Sequence, residues 1–281
     1  LSKVLEKLIH KRIYAFFSEQ KIISNRQYGF RSKLSTTDAL CTFLSDTYNT
    51  LNTQNTTIAA FLDLTKAFDT IKHSILFEKL RNNGIRGRPL NLIKSYLTNR
   101  SQYCINSNMN SKVITLPPYG VPQGSVLGPL LFLIYTNDIA NATSNTSLIQ
   151  YADDTTIYCS GTDPTELQTR ITSDLTRLVS YFNSNSLQLN LSKTNFMIIS
   201  PKSAPNNIVN LTDHPNTIKI SNTDVQRVNE TKFQGLNIDD KLSFRPHIKQ
   251  TEGKISRGLY ALRTAKHFFY PKNISLLFIT H

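Results

Sequence analysis

Two adjacent carboxylates, Asp153 and Asp154, stand between short strand-like runs in the stretch from Ser147 to Tyr158. Aspartate is a poor strand residue and neighbouring like charges repel, so a turn holding both beside apolar strands needs a reason. A hard divalent cation supplies one, because such ions take carboxylate oxygens and leave positions open for phosphate groups. A plain acidic hairpin accounts for the same residues, since aspartate is a common turn former.

A third carboxylate stands at the end of the run Ile58-Ala59-Ala60-Phe61-Leu62-Asp63-Leu64. This continuous apolar stretch closed by an acid predicts a buried strand that delivers Asp63 at its end. A lone carboxylate there is costly without a cation. In an antiparallel sheet the tip of the 151–155 hairpin would lie beside the end of the 58–64 strand, bringing Asp63, Asp153 and Asp154 together. Two ions ~3.5–4 Å apart at such a place would clamp the attacking and leaving oxygens of an in-line phosphoryl displacement. The irregular alternation of strands and helices predicts an α+β layer with helices on one face of a mainly antiparallel sheet.

Composition agrees with a phosphate-bearing partner. The 281 residues carry 32 lysines and arginines against 19 acids, a net charge of +13 that favours a polyanion. At 39% hydrophobic and 18% charged the chain can form a core, which argues against disorder. Cys41, Cys104 and Cys159 are widely spaced and the histidines are scattered, so neither a zinc site nor a disulfide scaffold is suggested. No apolar run reaches the ~18 residues of a membrane span and no signal peptide opens the chain, which predicts an intracellular, reduced protein without a membrane partner. A start at Leu1 and an end inside the apolar pattern Phe278-Ile279 suggest a segment of something longer.

The remaining elements follow from periodicity and caps. Residues 1–18 read as a basic amphipathic helix packed by one face, and residues 37–50 as a second helix after the loop Gln27–Thr36. Backbone amides at that helix start, with Arg31 and Lys33 nearby, would suit a phosphate. Asp69 or Thr70 is expected to cap a helix carrying Ile71, Ile75, Leu76 and Leu80, which Asn83-Gly84 ends. A helix from Pro89 and short strands at Tyr103–Asn106 and Val113–Leu116 come next. The Gly- and Pro-rich loop 117–125 precedes an apolar helix capped by Ser125. A helix starts at Asp163-Pro164, a strand covers 193–199, a surface connection 201–217, and short strands lie near Ile218–Ile220 and Phe233–Ile238. A basic helical tail begins at about Arg245.

These segments, in this order, resemble the reverse transcriptase domain of non-LTR (LINE-type) retrotransposons, particularly the jockey-like group. The resemblance rests on QYGFRSKLSTTDAL at 27–40, FLDLTKAFDTIKH at 61–73, GVPQGSVLGPLLFLIYTNDI at 120–139, YADD at 151–154, LNLSKT at 189–194 and FQGLNID at 233–239. It implies a right-hand polymerase, with fingers at 1–57 and 84–122, a palm at 58–83 and 123–244, and a truncated thumb at 245–281. The implied activity is RNA-directed DNA synthesis by two-metal-ion nucleotidyl transfer to a primer 3′-hydroxyl.

By the same resemblance Asp63, Asp153 and Asp154, with the Leu64 carbonyl, hold two Mg2+ ions, for which Mn2+ can substitute. Lys193 matches the lysine that protonates pyrophosphate. Arg31 matches the cation on the triphosphate, with Lys33 a weaker candidate. Phe68 would screen the sugar 2′ position, its competing role being a core aromatic, and Gln123 and Gly124 would contact nucleotide and template. Phe233, Gln234, Gly235 and Leu236 match the primer grip. Implied partners are an RNA template, a DNA primer, deoxynucleoside triphosphates and an endonuclease domain elsewhere in the polyprotein, with nuclear localisation at integration. Three alternatives stay open on the residues: a group II intron-type reverse transcriptase, a viral RNA polymerase, which Phe68 disfavours, and a domesticated copy that binds without polymerising.

Overall fold

The computed structural model describes residues 2–106, 109–201, 218–220 and 223–265, which fall into two compact units meeting at Val228/Asn229. In the first unit, helices α1 (Ser2–Glu19) and α2 (Thr36–Asn52) precede strand β1 (Thr56–Leu62). Helices α3 (His73–Asn82) and α4 (Gly87–Leu97) follow. Next come two short ladders, in which β2 (Ser101–Gln102) pairs with β5 (Ile114–Thr115) and β3 (Ile105–Asn106) with β4 (Met109–Asn110). Helix α5 (Leu127–Thr136) leads to the hairpin β6 (Ser147–Tyr151) and β7 (Asp154–Gly161). Helix α6 (Pro164–Ser184) and strands β8 (Asn195–Ile199), β9 (Ile218–Ile220) and β10 (Thr223–Arg227) complete it. The expected connection 201–217 lies almost entirely outside the described residues.

Six strands form one sheet in the order β6-β7-β1-β8-β10-β9, antiparallel except where β10 runs parallel to β8. Every residue of β1 is buried, which places this strand at the centre. Ile58, Ala60 and Leu62 belong to the main core, where the α6 residues Leu167, Ile171, Leu175 and Leu178 also lie. On the opposite face Phe43 of α2 meets the rings of Phe61 and Tyr158. The expectation of helices on one face is therefore corrected: α6 covers one face of β1 and α2 the other. Successive side chains of a strand point to opposite faces, so the unbroken apolar run of β1 requires both to be covered.

Two local expectations also change. Helix α3 starts at His73 with no side-chain cap, because Asp69 and Thr70 lie in the turn before it and bond elsewhere. Helix α5 is met by Ser125 Oγ, which accepts from the Gly128 N–H at 2.9 Å, and also by Glu6 of α1. Buried Glu6 accepts from the Val126 and Leu127 amides at 2.7 and 3.2 Å, so a carboxylate sits on the positive end of the apolar helix.

In the second unit, β11 (Glu230–Phe233) and β12 (Leu236–Asp239) form a hairpin where a single strand was expected. Gln234 and Gly235 both have positive φ (47° and 88°), the conformation of a two-residue type I′ turn. Helix α7 (Arg245–Ala265) packs on β12 and begins after Asp239 has accepted from the Ser243 and Phe244 amides.

Candidate active site

Register brings the acids together. Leu62, the last residue of β1, pairs with Thr155 of β7, so one step further Asp63 leaves the ladder level with Asp154 and the hairpin tip. Tyr151 pairs with Asp154, leaving Ala152 and Asp153 as a two-residue turn, with Ala152 at φ 57°. Asp153 is half-buried and Asp154 exposed on the first residue of β7. Burial lifts the Asp153 carboxyl above the usual carboxylate range, and the neighbouring charge of Asp63 lifts it further. Among the described residues no group of three His, Cys, Asp or Glu side chains is gathered closely enough to hold a metal ion. The charge of Asp63 is felt at Asp153 in the turn, and Asp154 is the next residue, at the start of β7.

A second loop closes on the same pair. Leu64 forms an antiparallel bridge with Leu189, the Asn190 amide donates to the Asp63 carbonyl at 2.8 Å, and Thr65 donates to the Gln188 carbonyl at 2.8 Å. The residues flanking Leu64 make those bonds, so the Leu64 carbonyl points away from Leu189, toward the edge where β7 lies. The lacing also brings Lys193 Nζ to 3.8 Å from Asp63 Oδ2, an exposed contact. The donor set suits a hard divalent cation: carboxylate oxygens with a main-chain oxygen beside them, and mutual repulsion that a cation relieves. Asp63, Asp153 and the Leu64 carbonyl are the groups that would hold it, with Asp154 next to them.

Phe68 lies between two rings. It stacks on buried Phe132 (4.5 Å between centroids, 24° between planes) and meets Phe30 edge-on (6.0 Å, 86°). The half-buried side chain is thus packed on the core by one face while part of it stays accessible. Phe30, exposed and at φ 55°, belongs to the same cluster, though nothing in its sequence position marked it.

The loop carrying Gln123 is sewn to the Phe68 segment. Val121 donates to the Phe68 carbonyl at 3.0 Å and Gly120 to that of Ile71 at 2.8 Å, while His73 Nε2 and the Gly120 carbonyl share a 2.8 Å hydrogen bond. Gln123 Nε2 donates to both carboxylate oxygens of Asp69, at 3.1 and 3.3 Å. Asp69, expected as a helix cap, instead orients the Gln123 amide. Beside them opens a cavity of about 440 Å3 whose lining includes Asp69, Arg100, Gln102, Tyr119, Pro122 and Gln123.

Gly124 sits at φ 75°, and the Ser125 amide donates to the Pro122 carbonyl at 3.1 Å, a type II turn with glycine at its third position. A Cβ there would meet no atom of the chain within 4 Å, so within the chain itself glycine is needed for its conformation. Gly124→Ala should destabilise the turn by ~1–2 kcal/mol, with Gly124→Asn milder than Gly124→Val. Thermal melts of the three variants check the order.

Arg31 Nη1 donates to the carbonyls of Ser24 and Gln27, at 3.0 and 3.1 Å, so the cation braces the loop from which it would reach a phosphate. Lys33 is exposed at φ 65°. Phe233, Gln234, Gly235 and Leu236 form the turn of the second unit's hairpin, described above, with Phe233 buried.

Comparison with known proteins places this arrangement. The family model described as Reverse transcriptase (RNA-dependent DNA polymerase) matches residues 1–238. A probable RNA-directed DNA polymerase from transposon BS of Drosophila melanogaster is 27% identical over 94% of this chain and 29% of its own length. The RNA-directed DNA polymerase from the mobile element jockey of Drosophila funebris is 28% identical over 88% of this chain and 27% of its own length. The chain thus spans under a third of these curated relatives. Among solved structures, apo telomerase from Candida tropicalis superposes with a TM-score of 0.55 at 12% identity, covering 85% of this chain and 40% of that one. Telomerase from Candida albicans gives 0.53 at 13%, covering 86% and 39%. At such identities the likeness bears on fold, and the fold is the expected α+β polymerase. With a family match over most of its length and the paired acids in register, the chain belongs to the reverse transcriptase family.

Proposed function

We propose that this chain is the polymerase part of a non-LTR retrotransposon protein and copies the element's RNA into DNA by adding deoxynucleotides to a primer 3′-hydroxyl. The observation that carries the reading is the register that sets Asp63, at the end of β1, against Asp153 at the hairpin tip. These two carboxylates, with Asp154 beside them and the Leu64 carbonyl, would hold two magnesium ions, or manganese in their place. When bound, the ions supply Lewis acidity at the primer hydroxyl and neutralise triphosphate charge.

The chain's own groups do the rest. Arg31 grips the triphosphate from a braced loop, assisted by Lys33. Gln123, its amide held by Asp69, and Gly124 form the turn against which nucleotide and template lie. Phe68 closes the space beside the sugar 2′ position. Lys193, beside Asp63, gives a proton to the departing pyrophosphate, a role its exposed ammonium suits if substrate draws it in. Fingers at 1–57 and 84–122, a palm at 58–83 and 123–244 and the start of a thumb from 245 accord with these roles. The turn Phe233–Leu236 serves as primer grip. An endonuclease elsewhere in the full polyprotein supplies the nick, and the protein works inside the cell, in the nucleus at integration. Among the described residues no helix is long and apolar enough to cross a membrane.

The test is extension of a DNA primer annealed to RNA, with magnesium and with manganese. Template-directed deoxynucleotide addition that a chelator stops is the expected result, and no addition with either ion overturns the reading. Helix α7 carries Arg245, Lys249, Lys254, Arg257 and Arg263, cations suited to backbone phosphates without reading sequence. Primer-template affinity should fall linearly on a log–log plot against salt, and Arg257→Ala should shallow the slope by about 1. A slope unchanged by Arg257→Ala would remove that contact from the account.

A further inference from the structure

The hairpin turn that carries Asp153 is held from outside the sheet by a residue to which no role was assigned from the sequence. Gln27 is 2% exposed. Its Oε1 accepts from the Ala152 amide at 3.1 Å and from the Gly29 amide at 2.8 Å, and its Nε2 donates to the Ala152 carbonyl at 3.3 Å. The orientation of the amide is determined by its partners, since the opposite placement would set an NH2 group against two N–H donors. One side chain thus satisfies both main-chain groups of a single turn residue.

That residue needs holding. The favoured type II′ hairpin turn has glycine at its first central position, where φ is positive. Here the position is Ala152, at φ 57° and 7% exposed. The loop around Gln27 is built to approach it. Gln27 forms a parallel bridge with Gln150 of β6, Tyr28 donates to the Gln150 carbonyl at 2.8 Å, and Gln150 donates to the Arg26 carbonyl at 2.9 Å. Gly29 lies so close that a Cβ on it would stand 2.3 Å from the Ala152 nitrogen. Arg31 Nη1 in turn bonds to the Gln27 carbonyl, so the loop that holds the turn also carries the proposed triphosphate cation.

We propose that Gln27 is a positioning residue for catalysis: its carboxamide keeps Ala152 in the left-handed conformation that aims Asp153 at Asp63. The inference rests on the polymerase reading for its kinetic consequence, but not for its conformational one. Gln27→Met removes the three hydrogen bonds at constant length. Its kcat for primer extension should fall ~10–100-fold, the usual loss when a group orienting a metal ligand is removed. Half-saturating magnesium should rise, with primer-template affinity unchanged.

The decisive variant is Ala152→Gly in the Gln27→Met background. Glycine adopts positive φ without help, so the double variant should recover at least half of the lost log kcat and part of the lost Tm, although a residue merely filling the core would not be rescued by a smaller neighbour. Equal kcat and Tm for Gln27→Met and wild type, or additive effects of the two substitutions, would overturn the proposal. The Tm cycle between Gln27 and Ala152 reads the coupling even if wild type extends no primer, an outcome that would count against the polymerase reading alone.

Discussion

Asp153→Asn is expected to abolish RNA-templated primer extension while leaving primer-template binding within a few-fold of wild type. A cation that polarises oxygen contributes several kcal/mol to the transition state, so loss of one of its two facing carboxylates should cost ~10^3-fold or more in kcat. The same substitution should raise thermal stability at neutral pH. The folded-state pKa of Asp153 is raised by burial and by Asp63, so its ionised form burdens the fold. Below the ordinary aspartate value the group is protonated folded and unfolded, and the burden is absent. It grows as pH rises through the folded-state value and is fully present above it. The stabilisation by Asp153→Asn, measured without divalent ions, should therefore appear at neutral pH and vanish in acid. Equal primer extension by variant and wild type would remove the catalytic role. A Tm difference independent of pH would remove the electrostatic account of the facing pair.

Phe68→Ala should admit ribonucleotides. Its ring is fixed from below by Phe132 and from the side by Phe30, so it cannot swing away from a bulkier sugar without breaking two aromatic contacts. Discrimination set by one packed wall is worth about 1–3 kcal/mol, or ~10–200-fold. The ratio of kcat/KM for deoxy- over ribonucleotide should fall by that order in competition assays on an RNA template. Because the ring also packs on the core, the variant should lose about 2 kcal/mol of stability, less than a fully buried Phe→Ala. Phe30→Ala, which takes away the lateral support alone, should give a smaller change in the same direction. Unchanged sugar preference in Phe68→Ala, with the stability loss present, would leave Phe68 as a core residue only.

Much of this was legible in the chain. The unbroken apolar run ending in Asp63, the acidic pair between strand-like runs, the Gly-Pro loop and the order of the motifs led to the polymerase fold, and the basic surplus to a nucleic-acid partner. The helix over 36–52 begins at a capping box, Ser35 with Asp38, whose local signal the sequence carries directly. The errors have one character. Asp69 looks like a cap because capping is decided within a turn of chain, but its partner Gln123 is 54 positions away. Helices look confined to one face because the apolar run of β1 does not say which helix covers it, whereas α6 and α2 take opposite faces of the strand.

Periodicity, turn chemistry and charge are properties of a few consecutive residues, and from them came the types of the elements and the candidate acids, while the family came from the resemblance carried by the ordered motifs. Which strand lies beside which, in what register, is settled by closing the sheet. Only that closure brings Asp63 to the turn at Asp153, the Asn190 loop beneath them, and Gln27 onto Ala152 across 125 positions. Contacts between segments so far apart leave no repeating trace in either segment, since a buried amide is chosen by the one carbonyl and the two N–H groups it meets and by nothing in its own neighbourhood.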